Sequence, residues 1–484
     1  MTGILGVLIA LALLIYLAYR GVSVLILGPV MALVAVLFAP GTPILASYTQ
    51  VFMPAAGTFV VTFFPLFLLG AIFGKLMEDS GSARAMAQGI VARLGRERSL
   101  LAVVLSCAVL TYGGVSLFVV AFAVFPIAAA LFREAMIPKR LIPATIALGA
   151  FTFTMTALPG TPAIQNAIPM PFFGTTPFAA PGLGIVTGAV MLVLGTLWLS
   201  RQSAAARARD EGYGPHDDAP QRPGKEFREY AQGEAFDIVE IGEDEASREE
   251  LPSFALAVLP IVLVILLNYL FSMHLIPAWD TGYLALPEYG EAGLDEVLGI
   301  WSIIASLVIA ILAQLALNWR RLVQPVRSLD AGANASVLPI FNTASQVGFG
   351  AVIASLPAFE LIRDLVLGIG GANPLISLAV SVNILAGITG SASGGMSIAL
   401  QTLGDVYVAS ARAAGVPLEL MHRVTSVATG GLDSLPHNGA VITLLAICGL
   451  THRDSYRDIF VVAVLVPVLA LVLLILLGTL FGAF

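Results

Sequence analysis

Charge is what this sequence has least of: Asp, Glu, Lys and Arg make up 11% of its 484 residues, where soluble domains carry about a quarter. Cysteine is nearly absent as well. Cys107 and Cys448 lie inside apolar stretches far apart in the chain, which excludes a disulfide framework or a thiolate metal centre and leaves both as small core residues. No His-Glu-x-x-His motif occurs and no Ser-Lys or paired-Asp arrangement stands within the apolar runs, so we expect no enzyme, no metal and no cofactor. The arginines form no basic stripe and the net charge is -7, which argues against nucleic acid as a partner. The every-second-residue polarity of outer-membrane barrel strands is missing too.

What remains is hydrophobic. Apolar residues supply 58% of the chain and the mean hydropathy is +0.92. Apolar runs recur from Ile4 to Leu17, Val22 to Phe38, Thr58 to Leu76, Gly182 to Leu199, Phe254 to Phe271, Gly299 to Leu317 and Ile459 to Leu480, near the roughly 20 residues that a helix needs to cross about 30 Å of hydrocarbon. The expected fold is an all-α polytopic membrane protein, with the lipid bilayer as its surroundings. The N-terminal run lacks a preceding basic region and a small-residue cleavage site, so it reads as a first span rather than a signal peptide.

Between Arg201 and Glu250 the composition changes to fourteen acidic and seven basic residues, which alone accounts for the net charge. Such a segment has too little apolar surface to offset its ordering entropy and reads as a flexible linker. It divides the chain into a first transmembrane repeat (1–200), an acidic cytoplasmic linker (201–251) and a second repeat (252–484).

The two repeats share a theme. Gly113-Gly114-Val115-Ser116 and Gly394-Gly395-Met396-Ser397 each precede, some forty residues on, a Leu-Pro break: Leu158-Pro159 and Leu435-Pro436. Backbone broken by glycine and proline inside apolar stretches cannot face lipid and must be buried or line a cavity. Corresponding breaks in two halves are the sequence pointer to a transporter's binding site. Read as re-entrant hairpins at about 100–132 and 375–412, the glycine-broken pairs leave five spans in each half, and an odd number inverts the second copy. With the N-terminus outside, Arg20, Lys75, Arg93, Arg133, Lys139, Arg140, Arg201, Arg320 and Arg321 then fall on the cytoplasmic side, as the positive-inside rule requires. The reading is an inverted repeat with two opposed hairpins and two broken spans.

Hairpin tips rich in Gly and Ser bring backbone N–H groups and helix N-termini to a central cavity, where a carboxylate is favoured without a fixed cation. The candidates are Thr111, Gly113, Gly114 and Ser116 in the first tip and Thr389, Ser391, Ser393, Gly394, Gly395 and Ser397 in the second. Close packing of helices explains small residues equally well. The broken spans add Thr161, Gln165, Asn166 and Asn438 as substrate ligands. Asp433 and His437 are the ionisable residues nearest a break; they suit a proton-coupling pair or a plain structural hydrogen bond at four-residue spacing. Asn342, Thr343, Ser345 and Gln346 form a polar helix face directed to the same cavity, whereas His422 and Arg423 read as interfacial.

The runs Leu110 to Val119, Arg140 to Gly149 with Leu158 to Pro162, and Asp433 to Ala440 resemble the gluconate permease family. The likeness is nearest to its hydroxybutyrate-type branch and spans nearly all of the chain outside the linker. It implies a bacterial inner-membrane proton symporter for small hydroxy-carboxylates, within the ion transporter superfamily of inverted repeats and opposed hairpins. Gluconate transporters carry a glutamate in the first tip and a histidine at the first break, where this chain has Gly113-Gly114 and Leu158 to Pro162. A less polar tip suits a shorter acid such as 3-hydroxybutyrate. A carrier of gluconate or another organic anion, sodium in place of the proton, and a homodimer belong to the same set of expectations.

Overall fold

The computed structural model describes residues 2–20, 22–214, 251–369, 371 and 373–484. The middle of the expected linker, 215–250, lies outside the described residues. Its beginning does not behave as a linker, because the last helix of the first half continues to Arg207. Among the described residues all regular structure is helical.

Both halves present their elements in one order. The first half has α1 (Thr2–Tyr19), α2 (Val24–Leu37), α3 (Ile44–Asp79), a short amphipathic α4 (Ser82–Leu94) and the hairpin α5 (Ser99–Tyr112) with α6 (Leu117–Glu134). A broken span follows, α7 (Ile142–Ala150) and short turns to Phe173, and then α8 (Pro181–Arg207). The second half repeats this as α9 (Phe254–Ala278), α10 (Leu294–Leu317), α11 (Pro325–Ser355), α12 (Phe359–Leu367), hairpin α13 (Pro374–Thr389) and α14 (Ala392–Ala414), broken span α15 (Leu418–Leu432) and α16 (Gly439–Ile447), and α17 (His452–Phe481). Six of these, α3, α8, α9, α10, α11 and α17, are long and apolar enough to cross a membrane; α1, α2, α5 and α13 are shorter apolar helices. Large apolar side chains such as Val61, Ile185, Leu266, Leu312 and Val472 point outwards, which is the surface a bilayer requires.

The halves interlock rather than sit side by side. α11 packs along α3, α2 packs on α11 and α10 on α3, so the third helix of each half is embraced by the second helix of the other. The last helices α8 and α17 also pack together, and the N–H groups of Gly182 and Leu183 at the start of α8 donate to Phe484 O at the chain's end. α8 and α17 are therefore antiparallel, and the 27 residues of α8 separate two ends of the molecule by about 40 Å.

The breaks follow from local chemistry. At the first tip α5 stops before Gly113, Gly114 takes φ +89°, and Ser116 precedes α6. At the second, Gly390 closes α13 at φ +63° and the Ser391 hydroxyl caps α14 by accepting from Gly394 N at 3.2 Å. The second tip is therefore Gly390-Ser391. Gly394 and Gly395, the apparent counterparts of Gly113 and Gly114, lie inside the first turn of α14 for a packing reason. A Cβ on Gly394 would overlap Gln346 Oε1 of α11, and one on Gly395 would overlap the Ala386 backbone of α13. The resemblance of the two tetrapeptides is thus of composition, not of position.

Candidate functional site

Both hairpin tips open into one cavity of about 310 Å³. Thr111, Gly114 and Ser116 line it from the first tip and Thr389, Gly390, Ser391 and Ser393 from the second; Gln165 and His437 come from the two broken spans, and Asn342, Thr343 and Gln346 from α11. Ser345 turns away and donates to Leu25 O at 3.1 Å. The scaffold wall includes Ser23 at the start of α2 and Gly70 and Ala71 on α3, none of which the sequence singled out.

Thr111 Oγ1, Gln165 Oε1 and Gln346 Oε1 in this wall are buried without a partner, on residues 3%, 7% and 3% exposed. Leaving such groups bare costs about 1–3 kcal/mol each, which a polar ligand or ordered water recovers. Among the described residues Lys and Arg are missing from the lining, so positive potential here comes from helix N-termini. The α6 start is uncapped by the Ser116 side chain, and the first-turn N–H groups of a helix lack intrahelical acceptors. His437 Nε2 lies 3.0 Å from Gly387 O; a carbonyl only accepts, so Nε2 carries the hydrogen and Nδ1 is the basic nitrogen.

Asp433 does not share this wall. It lines a smaller adjoining cavity of about 40 Å³, with Ser434 and Asn438, and Gln165, Ser391 and Ser393 belong to both. Asn438 caps α16 through Val441 N at 3.0 Å and donates from Nδ2 to Gly390 O at 2.7 Å, so it ties the second break to the second tip.

The remaining sequence candidates are supports. Gly113 packs on Ile261, Gly394 and Gly395 on α11 and α13, and Ser397 is buried; none lines either cavity. Thr161 donates to Tyr112 O at 3.3 Å. Asn166 gives Nδ2 to Thr161 O at 3.1 Å and Pro177 O at 3.0 Å, while its Oδ1 accepts from Arg423 Nη1 at 3.1 Å. Arg423 is fully buried, as is His422, and neither is interfacial. The Arg423 guanidinium donates to Ala179 O through Nε at 3.0 Å and Nη2 at 2.7 Å. His422 bridges Asn166 Oδ1 at 3.2 Å and Thr175 Oγ1 at 2.6 Å. Together they hold the unwound segment that presents Gln165. The sequence did carry a signal: Arg423 sits among Thr425, Ser426 and Thr429 on a helix whose every turn is polar.

Against known proteins, the chain is 45% identical over 468 residues to a Bacillus subtilis (strain 168) protein named uncharacterized transporter YxjC, covering 95% of each. The chain belongs to the YxjC transporter family. Like that relative it is a transporter, and its own long apolar helices make it a multi-pass membrane protein. No protein-family model matches the sequence. The fold resembles that of Neisseria gonorrhoeae MtrF, described as illuminating a class of antimetabolite efflux pumps, with TM-score 0.54 and 13% identity over 89% of this chain and 83% of that one. At that identity the likeness is one of fold.

Proposed function

We propose that this member of the YxjC family takes up a small hydroxy-monocarboxylate, of the 3-hydroxybutyrate class, across the bacterial inner membrane together with a proton. The observation that carries the reading is the larger cavity itself. Two hairpin tips meet there, the Thr111 hydroxyl is buried without a partner, and among the described residues the lining offers helix N-termini rather than a lysine or arginine. A single carboxylate is the group such a wall accommodates. Its volume stands at the lower end of ligand pockets, which span about 300–1,000 Å³, and suits a small molecule. Gly113-Gly114 in place of an acidic residue at the first tip agrees with this, as does the resemblance to hydroxybutyrate-type permeases. His437 is the proton carrier in this reading, because its Nδ1 is the basic nitrogen of a side chain in the cavity wall.

Uptake of labelled 3-hydroxybutyrate into proteoliposomes, with pH and sodium gradients imposed separately, tests it. Accumulation should follow an inward proton gradient, and His437→Ala should lose that response while retaining exchange of substrate. No uptake of any short monocarboxylate would overturn the substrate; pH-driven accumulation unchanged in His437→Ala would overturn the proton carrier.

A further inference from the structure

Gly70 is a glycine without a structural reason. It lies inside α3 with ordinary helical backbone, where glycine is the poorest helix former after proline. In membrane helices glycine ordinarily marks the close approach of another element, as at Gly332, where a Cβ would lie 2.7 Å from the Ile72 backbone. A Cβ on Gly70 would meet no neighbouring atom within 4 Å.

The open space beside it is the larger cavity, not lipid. Gly70 lines that cavity together with Leu66 and Phe67, and residues three and four apart share a helix face. The outward side of α3 carries Val61, which is 80% exposed; at about 100° per residue Gly70 stands half a turn away from it. We propose that Gly70 sets the length of the acid that the carrier accepts, and that the preferred 3-hydroxy acids carry an apolar tail longer than the methyl of 3-hydroxybutyrate.

The wall has the matching chemistry. Its polar groups come from the hairpin tips and broken spans, whereas Leu66, Phe67 and Ala71 of α3 and Leu307 of α10 form an apolar side. Along α11 the lining passes from Leu338 to Asn342 and Gln346, so the two sides adjoin within a few turns of one helix. An acid whose carboxylate and hydroxyl occupy the polar side lays its tail against α3. A water-sized group takes about 10–15 Å³ by the same measure, so a space of about 310 Å³ holds a chain several carbons longer than that of a four-carbon acid. Each methylene moved from water to such a wall strengthens binding about fourfold. A side chain at position 70 would fill that room.

This selection of the tail rests on the carboxylate reading of the polar side, and one binding series tests the two separately. The unfolding temperature of the purified full-length protein in detergent is followed against rising concentrations of straight-chain 3-hydroxy acids of four, five and six carbons, since a ligand of the folded state raises it by mass action. Apparent affinity should increase about fourfold with each added methylene. Gly70→Leu should level the series, and Gly70→Ala, which adds one methyl, should reduce the gain part-way. Both replacements improve helix propensity and meet no neighbour, so the fold is retained. Gly57→Leu is the control: it lies on the same helix, a Cβ there also meets nothing within 4 Å, and it is outside the cavity lining. This variant should keep the wild-type gain, and any partition of longer acids into micelles affects it equally. A flat series in the wild type, or a gain as large in Gly70→Leu as in Gly57→Leu, would overturn the role of Gly70. Binding of the four-carbon acid within a flat series would leave the proposed substrate standing, whereas no response to any of the acids would overturn both.

Discussion

Two arginines perform the same task at opposite ends of the molecule with different partners. Each stands at the start of one half's broken span and grips the chain at the beginning of the other half's last helix. Arg423 holds Ala179 and Asn166, beside the start of α8, entirely through neutral oxygens and with no exposure to solvent. Arg140 holds Asp458 of α17 through Nη1 at 2.9 Å, and its backbone carbonyl accepts from Ser455 Oγ at 2.6 Å. Asp458 is held in turn by Trp198 Nε1 at 3.0 Å, near the far end of α8. Arg140 also takes a third partner: Glu211, just past α8, at 2.6 and 3.1 Å. The Tyr213 carbonyl accepts from Lys139 N at 3.2 Å and the Tyr213 ring lies 5.0 Å from Arg133, so the chain between the halves begins as a strap across this end. A guanidinium bound by buried carbonyls has no competitor. One bound in part by the exposed Glu211 carboxylate competes there with salt, protons and water. One end of the molecule is thus built as a fixed joint and the other as one that conditions can loosen.

The strongest test of that contrast is Arg423→Leu. It strands Ala179 O without a donor in a dry interior and leaves Asn166 Oδ1 to His422 alone, at about 3 kcal/mol or more in all, and frees the segment that carries Gln165. The variant should unfold at markedly lower temperature in detergent and lose substrate binding. Arg423→Lys should not rescue it, because an ammonium cannot span Ala179 O and Asn166 Oδ1 as a planar fork does. A destabilisation no larger than that of the Arg140 variant would break the comparison.

Arg140→Gln should cost less, about 1–2 kcal/mol, since Asp458 keeps the Trp198 indole and Glu211 gains access to water. The wild-type contribution should shrink in high salt while that of Arg423 does not. Unfolding temperatures of both variants and of the wild type at low and high ionic strength make the check. Salt-independence of the Arg140 effect would remove the distinction between the two ends.

This contrast was not legible in the sequence, although the frame that carries it was. The amphipathic pieces Ser82–Leu94 and Phe359–Leu367 have the bounds that their periodicity gives, and the hairpins begin and end within three residues of expectation, because helix length, glycine and proline are local signals. The lining of the candidate site was half legible. Thr111, Gly114, Ser116, Gln165, Thr389, Ser391, Ser393 and His437 reach the larger cavity and Asp433 and Asn438 the smaller, because small polar residues at a break have few other places to go. Gly394 and Gly395 could not be separated from a true tip, since a glycine needed for its φ and one needed for close approach look alike. Arg423 was misplaced for a related reason. Its partners, Asn166 and Ala179, lie more than two hundred residues away, and a charge satisfied only by carbonyls leaves no oppositely charged residue to notice.

The smallest effect belongs to Glu211, and it isolates the strap from the rest of the joint. The hydrogen bonds from Arg140 hold this carboxyl below its ordinary value, against the opposing pull of partial burial. A carboxylate whose folded-state value is depressed contributes fully above the unfolded value, about 4.3 for glutamate, and loses that contribution as pH falls through the lowered folded value. Acid should therefore loosen residues 208–214. Hydrogen exchange of that segment should quicken as pH drops below the glutamate range, beyond the intrinsic change measured on an unstructured peptide. Glu211→Gln should show the quick exchange already at neutral pH and lose most of the added pH response. Its unfolding temperature should stay close to wild type, because Asp458 still holds the guanidinium. If Glu211→Gln instead matched Arg140→Gln in stability, the strap would be a structural member of the joint and the two ends would differ in burial alone.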